Sequence, residues 1–131
     1  VAFKPVAGSV DQAAGIVWRY RDPDNYYVAR ANALEQNVVL YKVESGTRVS
    51  IAPRGLPSRS YGLKYNIASG QWQRLRVTFD HSVFVVYCND ERLFDVEDHT
   101  FLSTGKTGLW TKADSLTYFD DFTVSGKDGK Q

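Results

Sequence analysis

Carboxylates come first, because cutting a sugar acetal takes two of them about 5–10 Å apart across a cleft, one to protonate the leaving oxygen. Asp95 and Glu97 stand two residues apart in an alternating segment, with Glu91 further along the same face. Side chains at i and i+2 of a strand point the same way about 7 Å apart, so the pair meets the geometric minimum. The competing reading is a solvated strand face beside an acidic turn. Glu35 and Glu44 have no neighbouring carboxylate in sequence. Asp120-Asp121, between Phe119 and Phe122, is a candidate calcium pair, since Ca²⁺ takes carboxylates and backbone carbonyls; a solvated acidic pair is the plainer alternative. His81 and His99 have no partners at zinc spacing. Cys88 closes an apolar run, where burial makes a thiol inert. Neither a glycine-rich phosphate loop nor a Gly-x-Ser-x-Gly elbow occurs, so phosphoryl and acyl transfer fall away.

A second constellation is aromatic and polar. Sugars present apolar C–H faces and hydroxyl edges, so a site for them joins flat rings to directional hydrogen-bonding groups. Trp110, Tyr41 and Trp18 are the candidate stacking platforms, and Arg30, Asn32, Lys112 and Asp114 the candidate hydrogen-bonding partners. Strand alternation puts Arg30 with Asn32 on one face and Trp110 with Lys112 on one face, so the two pairs can line one groove. For each of these residues, ordinary core or cross-strand packing is the rival reading. Arg54 and Arg59 read as solvated loop residues, and Arg74 with Arg76 as an outer strand face.

These side chains must be positioned by strands. Of 131 residues, 3 are Trp, 8 Tyr and 7 Phe, and valine and threonine are abundant, while no stretch carries a helical apolar stripe. Turn signals recur every eight to twelve residues, as in a sandwich or barrel of about ten to twelve short strands. The expected strands are 1–6, 14–20, 25–31, 37–44, 48–52, 72–79, 83–88, 91–97, 105–112 and 115–125, with a short one over 65–68. Pro5 suggests that the first is an edge or a strand end. The stretch 53–61, with Pro53, Gly55 and Pro57, is loop chemistry long enough to sit at a functional rim. Length and the single cysteine give one domain over 1–125 without a disulfide, followed by a polar tail over 126–131. A formal charge of +1 gives no field to gather nucleic acid, and no apolar run is long enough for a membrane-spanning helix.

Gly15-Ile16-Val17-Trp18-Arg19-Tyr20-Arg21-Asp22-Pro23-Asp24-Asn25-Tyr26-Tyr27, continuing to Tyr41, resembles the concanavalin A-like lectin/glucanase superfamily. So do Trp72 to Val77, Gly105 to Ser115 and Phe119-Asp120-Asp121-Phe122. The resemblance is strongest to bacterial laminin-G-like domains and to domains labelled 3-keto-disaccharide hydrolase. It implies an all-β jelly roll of two antiparallel sheets, ligands on one sheet face or its rim loops, often a calcium site, and an exported, periplasmic or extracellular setting. The Glu-x-Asp-x-x-Glu strand of laminarinase-type glucanases is missing. The chain opens within the first strand of that architecture, so a strand absent or supplied by a partner, and homodimerisation through an open edge, are expected. The leading expectation is a non-catalytic module binding an oligo- or polysaccharide. The alternatives are a hydrolase of the 3-keto-disaccharide type using Asp95, Glu97 or Asp114, and a protein-interaction or structural domain.

Overall fold

A computed structural model describes residues 1–126, so the expected tail lies outside the described residues from 127 onward. The described chain is all-β, with eleven strands: β1 (Ala2–Ala7), β2 (Ala13–Asp22), β3 (Asn25–Asn32), β4 (Asn37–Glu44), β5 (Thr47–Ser50), β6 (Leu63–Lys64), β7 (Gln73–Asp80), β8 (Val83–Cys88), β9 (Glu91–Glu97), β10 (Lys106–Trp110) and β11 (Leu116–Asp120). They form two antiparallel sheets, one in the order β11-β1-β7-β8-β9 and one in the order β10-β2-β3-β4-β5, with β6 paired to the same edge of β4 as β5. This is the expected jelly-roll sandwich.

The two sheets enclose one core, in which Phe3, Ile16, Trp18, Tyr27, Leu40, Leu75, Phe84, Val86 and Phe94 interdigitate. The alternation read from 72–79 holds: Leu75 and Val77 face this core while Arg74 and Arg76 face out. Two expectations change. The first strand lies between β11 and β7 instead of at an edge; only Ala2 and Phe3 pair with β7, so Pro5, whose missing N–H would break a ladder, sits beyond the reach of that neighbour. The short strand is Leu63–Lys64, not 65–68, because Ile67 turns into the core and its N–H and C=O both bond the Gln36 side chain.

One irregularity decides what the second sheet shows to the outside. Arg19 has φ 50°, and pairing of β2 with β3 skips from Trp18 to Asp22. The bulge shifts the alternation. Trp18 points into the core, Arg19 lies along its rim over Phe79 and Phe84 with Nη1 donating to the Phe101 carbonyl (2.8 Å), and Tyr20 is delivered to the opposite face.

Candidate functional site

The face of the six-stranded sheet that points away from the core is not a solvated one. Val17, Val28, Val39 and Tyr41 form a second buried apolar cluster there, roofed by Tyr20, Tyr26 and Trp110. A sheet apolar on both faces needs something to cover its outer side. Cross-strand pairing sets Trp110 opposite Gly15, Gly15 opposite Arg30, and Arg30 opposite Val39, one row across four strands. Gly15 is the only member without a side chain, and a Cβ there would meet the Ala29 carbonyl, Val28 and Trp110 at 3.1–3.2 Å. The row is therefore closed over Gly15 by its neighbours, which sets the indole and the guanidinium on either side of it.

Arg30 is the centre of this face and is only 2% exposed. Its Nη2 donates to Asn37 Oδ1 (3.0 Å), Nη1 lies 3.6 Å from Glu35 Oε2, and Nε has no partner. The guanidinium carbon sits 5.7 Å from the Tyr41 ring centroid and 6.0 Å from that of Tyr61, so cation–π attraction offsets part of the desolvation. The two tyrosine rings meet edge to face at 5.9 Å, with their hydroxyls in contact. Burial, with the Tyr61 hydroxyl second, raises the Tyr41 pKa and keeps the phenol neutral. Tyr61 is carried by the 53–62 loop, which passes so near β4 that a Cβ on Gly62 (φ 61°) would stand 2.2 Å from the Val38 carbonyl. Only glycine fits there.

Beside Arg30 on the same face, Asn32 is fully buried and donates to Asp11 Oδ1 (2.9 Å), while Asp11 Oδ2 faces Lys112 Nζ at 3.9 Å. Arg48 of β5 reaches over the other side, its guanidinium carbon 4.7 Å from the Tyr41 centroid and 6.0 Å from that of Trp110. Next to Trp110, a largely apolar depression of about 380 Å³ is bounded by Val17, Tyr20, Pro23, Tyr26 and Lys106.

Of the residues expected to form a site, Arg30, Asn32, Tyr41, Trp110 and Lys112 all belong to this face. Trp18 does not. It has no exposed surface and packs against Tyr27 (5.6 Å), Phe79 (6.1 Å) and Phe84 (5.4 Å), because its parity on β2 is opposite to that of Val17. It cannot be a stacking platform for a ligand. Asp114 is at the border but engaged: its carboxylate accepts the backbone N–H groups of Ser9 (2.7 Å), Val10 (3.0 Å) and Asp11 (2.9 Å) and the Ser9 hydroxyl. Those N–H donors hold it well below the usual carboxylate range. It anchors the loop that presents Asp11.

The carboxylates considered for hydrolysis are occupied by cations. Arg54, expected to be merely solvated, bonds Asp95 through Nε (2.9 Å) and Nη2 and lies 3.4 Å from Glu97; Arg92 adds a contact to Asp95. The Arg54 hydrogen bond lowers the Asp95 pKa, the opposite of what a general acid needs. Asp121 pairs with Arg74 (3.2 Å), and Asp120 accepts the Asp121 N–H (2.8 Å). Both border a polar depression of about 500 Å³ with Trp72, Asn89 and Asp90. Among the described residues no group of three or more His, Cys, Asp or Glu side chains converges as a metal site.

Sequence reasoning missed Asp11, Glu35, Asn37, Arg48 and Tyr61. Arg48 was within reach of it: the Ser45-Gly46 turn fixes Arg48 opposite Val43, two residues on from Tyr41, hence on the same face. Tyr61 had no such signal, since a loop carries no period.

No family model matches the chain, and no curated protein matches it. Among solved structures, the carbohydrate-binding module CBM66 from Bacillus subtilis superposes with a TM-score of 0.72 at 23% identity, over 88% of this chain and 66% of that one. The galectin LEC-6 from Caenorhabditis elegans superposes with a TM-score of 0.57 at 16% identity, over 88% of this chain and 75% of that one. The fold is thus the antiparallel β-sandwich jelly roll that the resemblance implies.

Proposed function

We propose that this chain is a non-catalytic, lectin-like carbohydrate-binding module, and that its ligand lies on the outer face of the six-stranded sheet against Trp110, with Arg30 and Tyr41 beneath. The observation that carries the reading is Arg30. A guanidinium has five N–H donors in a fixed fork, and this one has a single hydrogen bond to the protein while it lies beside the rings of Tyr41 and Tyr61. Directional donors beside flat apolar faces are what a pyranose or furanose ring requires, and side chains on strands hold them rigidly. The two lectin-type structural neighbours support the reading, as does the engagement of Asp95, Glu97 and Asp114 by other protein groups. An exported setting, periplasmic or extracellular, goes with a module that works where polysaccharide is.

A glycan array on the purified domain, followed by titration calorimetry, tests this. Saturable binding in the micromolar to millimolar range is expected, weakened at least about tenfold in a folded Trp110→Ala variant. No saturable binding to any glycan overturns it. Repeating the titration with calcium and with a chelator asks whether Asp120 and Asp121 contribute.

A further inference from the structure

Charge is unevenly placed on this molecule. Arg30, Arg48 and Lys64 occupy outward positions of the six-stranded sheet or its β6 extension, Lys112 faces Asp11, and Lys106 borders the apolar depression. The carboxylates among them are Asp11, Glu35 and, at the border, Asp114. The face therefore carries an excess of two positive charges on a chain whose whole formal charge is +1. Asp22, at the end of β2, accepts the Asp24 N–H and the Asn25 amide. Glu35 is shared with Arg30, and Asp11 with Lys112.

Arg48 is left over. Its side chain is exposed, it makes no ion pair among the described residues, and its guanidinium carbon lies 4.7 Å from the Tyr41 ring centroid and 6.0 Å from that of Trp110. A guanidinium held against a ring keeps N–H donors for a second partner, and a pair of them matches the two oxygens of a carboxylate. Below it, Arg30 is nine-tenths buried with Nε unpartnered. We infer that the ligand is an acidic saccharide, one whose sugar ring lies against Trp110 while its carboxylate is taken by Arg48, with Tyr41 and Arg30 beneath. This rests on the carbohydrate-binding reading and narrows it to uronic-acid-bearing chains.

The experiment titrates the domain with oligogalacturonate and alginate oligomers, each beside its methyl ester, so that charge changes and the sugar does not. The panel also holds neutral glucan and fructan oligomers, a sulfated oligosaccharide and a short DNA duplex. At least one uronate should bind about tenfold or more tightly than its ester, the scale of one charge-assisted hydrogen bond, and sodium chloride should weaken it. Arg48→Gln should bring the acid down to the level of the ester, and Lys64→Gln should do less. Equal or better binding of the esters, or binding of neutral chains alone, overturns the inference and leaves the carbohydrate-binding reading standing. A sulfated chain bound above every uronate, or DNA bound as tightly, overturns it in favour of sulfate or of charge alone. Silence across the panel and the glycan array removes both readings.

Discussion

The guanidinium carbon of Arg30 lies 5.7 Å from the centroid of the Tyr41 ring, on a side chain that is 2% exposed. A buried cation with one hydrogen bond and a half-exposed acid 3.6 Å away is an expensive arrangement, because its desolvation is only partly repaid. Replacing it with an apolar side chain of similar length should relieve that cost. Arg30→Met is therefore expected to melt at the same temperature as the parent or higher, by up to about 1–4 kcal/mol in stability, while saccharide binding falls at least about tenfold. Thermal unfolding with calorimetric titration checks both. A variant that loses stability and binding together would make Arg30 a packing residue.

Trp18 and Trp110 should behave as opposites. Trp18 is enclosed by Tyr27, Phe79 and Phe84, and its indole N–H has no partner. Trp18→Ala is expected to cost about 3–5 kcal/mol, enough to unfold a marginal domain. Trp18→Phe keeps a ring and removes the unsatisfied donor, so it should cost less and leave saccharide affinity unchanged. Urea unfolding of both variants, and titration of the second, decides this; weaker binding by a folded Trp18→Phe would tie the core indole to the site.

The contrast also shows which parts of the architecture were legible in the sequence. Alternation in 72–79 and the Ser45-Gly46 turn located β7 and the β4–β5 hairpin, because those signals are local. The pairs Arg30 with Asn32 and Trp110 with Lys112 share the outer face of one sheet, and Gly15 lies between Arg30 and Trp110 in the cross-strand row. Trp18 was misassigned because β2 is apolar on both faces, so parity alone could not say which face is the core, and the left-handed Arg19 changes that parity midway. Tyr61 and Arg54 reach their partners across 20 and 41 residues of chain, distances at which a loop leaves no trace in local pattern.

Cys88 offers an internal probe of the core. It is fully buried at the end of β8, and burial pushes its thiol up to about 12. The native protein should resist a disulfide reagent at pH 8, because neither thiolate nor access is present. In urea the same thiol should react at a rate that tracks the unfolded fraction. Fast stoichiometric labelling of the native protein would mean that the β8 end of the sandwich opens locally.

Asp114 links the stability of the fold to the assembly of the site. Its carboxylate accepts the N–H groups of Ser9, Val10 and Asp11, and these hold it well below its ordinary value of 3.8. A carboxylate depressed in the folded state contributes stability that is fully present above its unfolded value and lost as pH falls through the folded one. The melting temperature should therefore decline from about pH 4 downward. Asp95, lowered by Arg54, works in the same direction, as does Asp98, where hydrogen bonds from Tyr27 and Thr100 outweigh burial. Asp114→Asn should be less stable than the parent at pH 7, show a shallower decline in acid and converge with it at the lowest pH. Because the loop it anchors carries Asp11, and Asp11 holds Asn32 and Lys112, the same variant should also bind saccharide more weakly at neutral pH. Melting curves from pH 7 to pH 2 with one neutral titration test both halves: parallel acid limbs would remove Asp114 as their source, and unchanged affinity would separate the loop from the site.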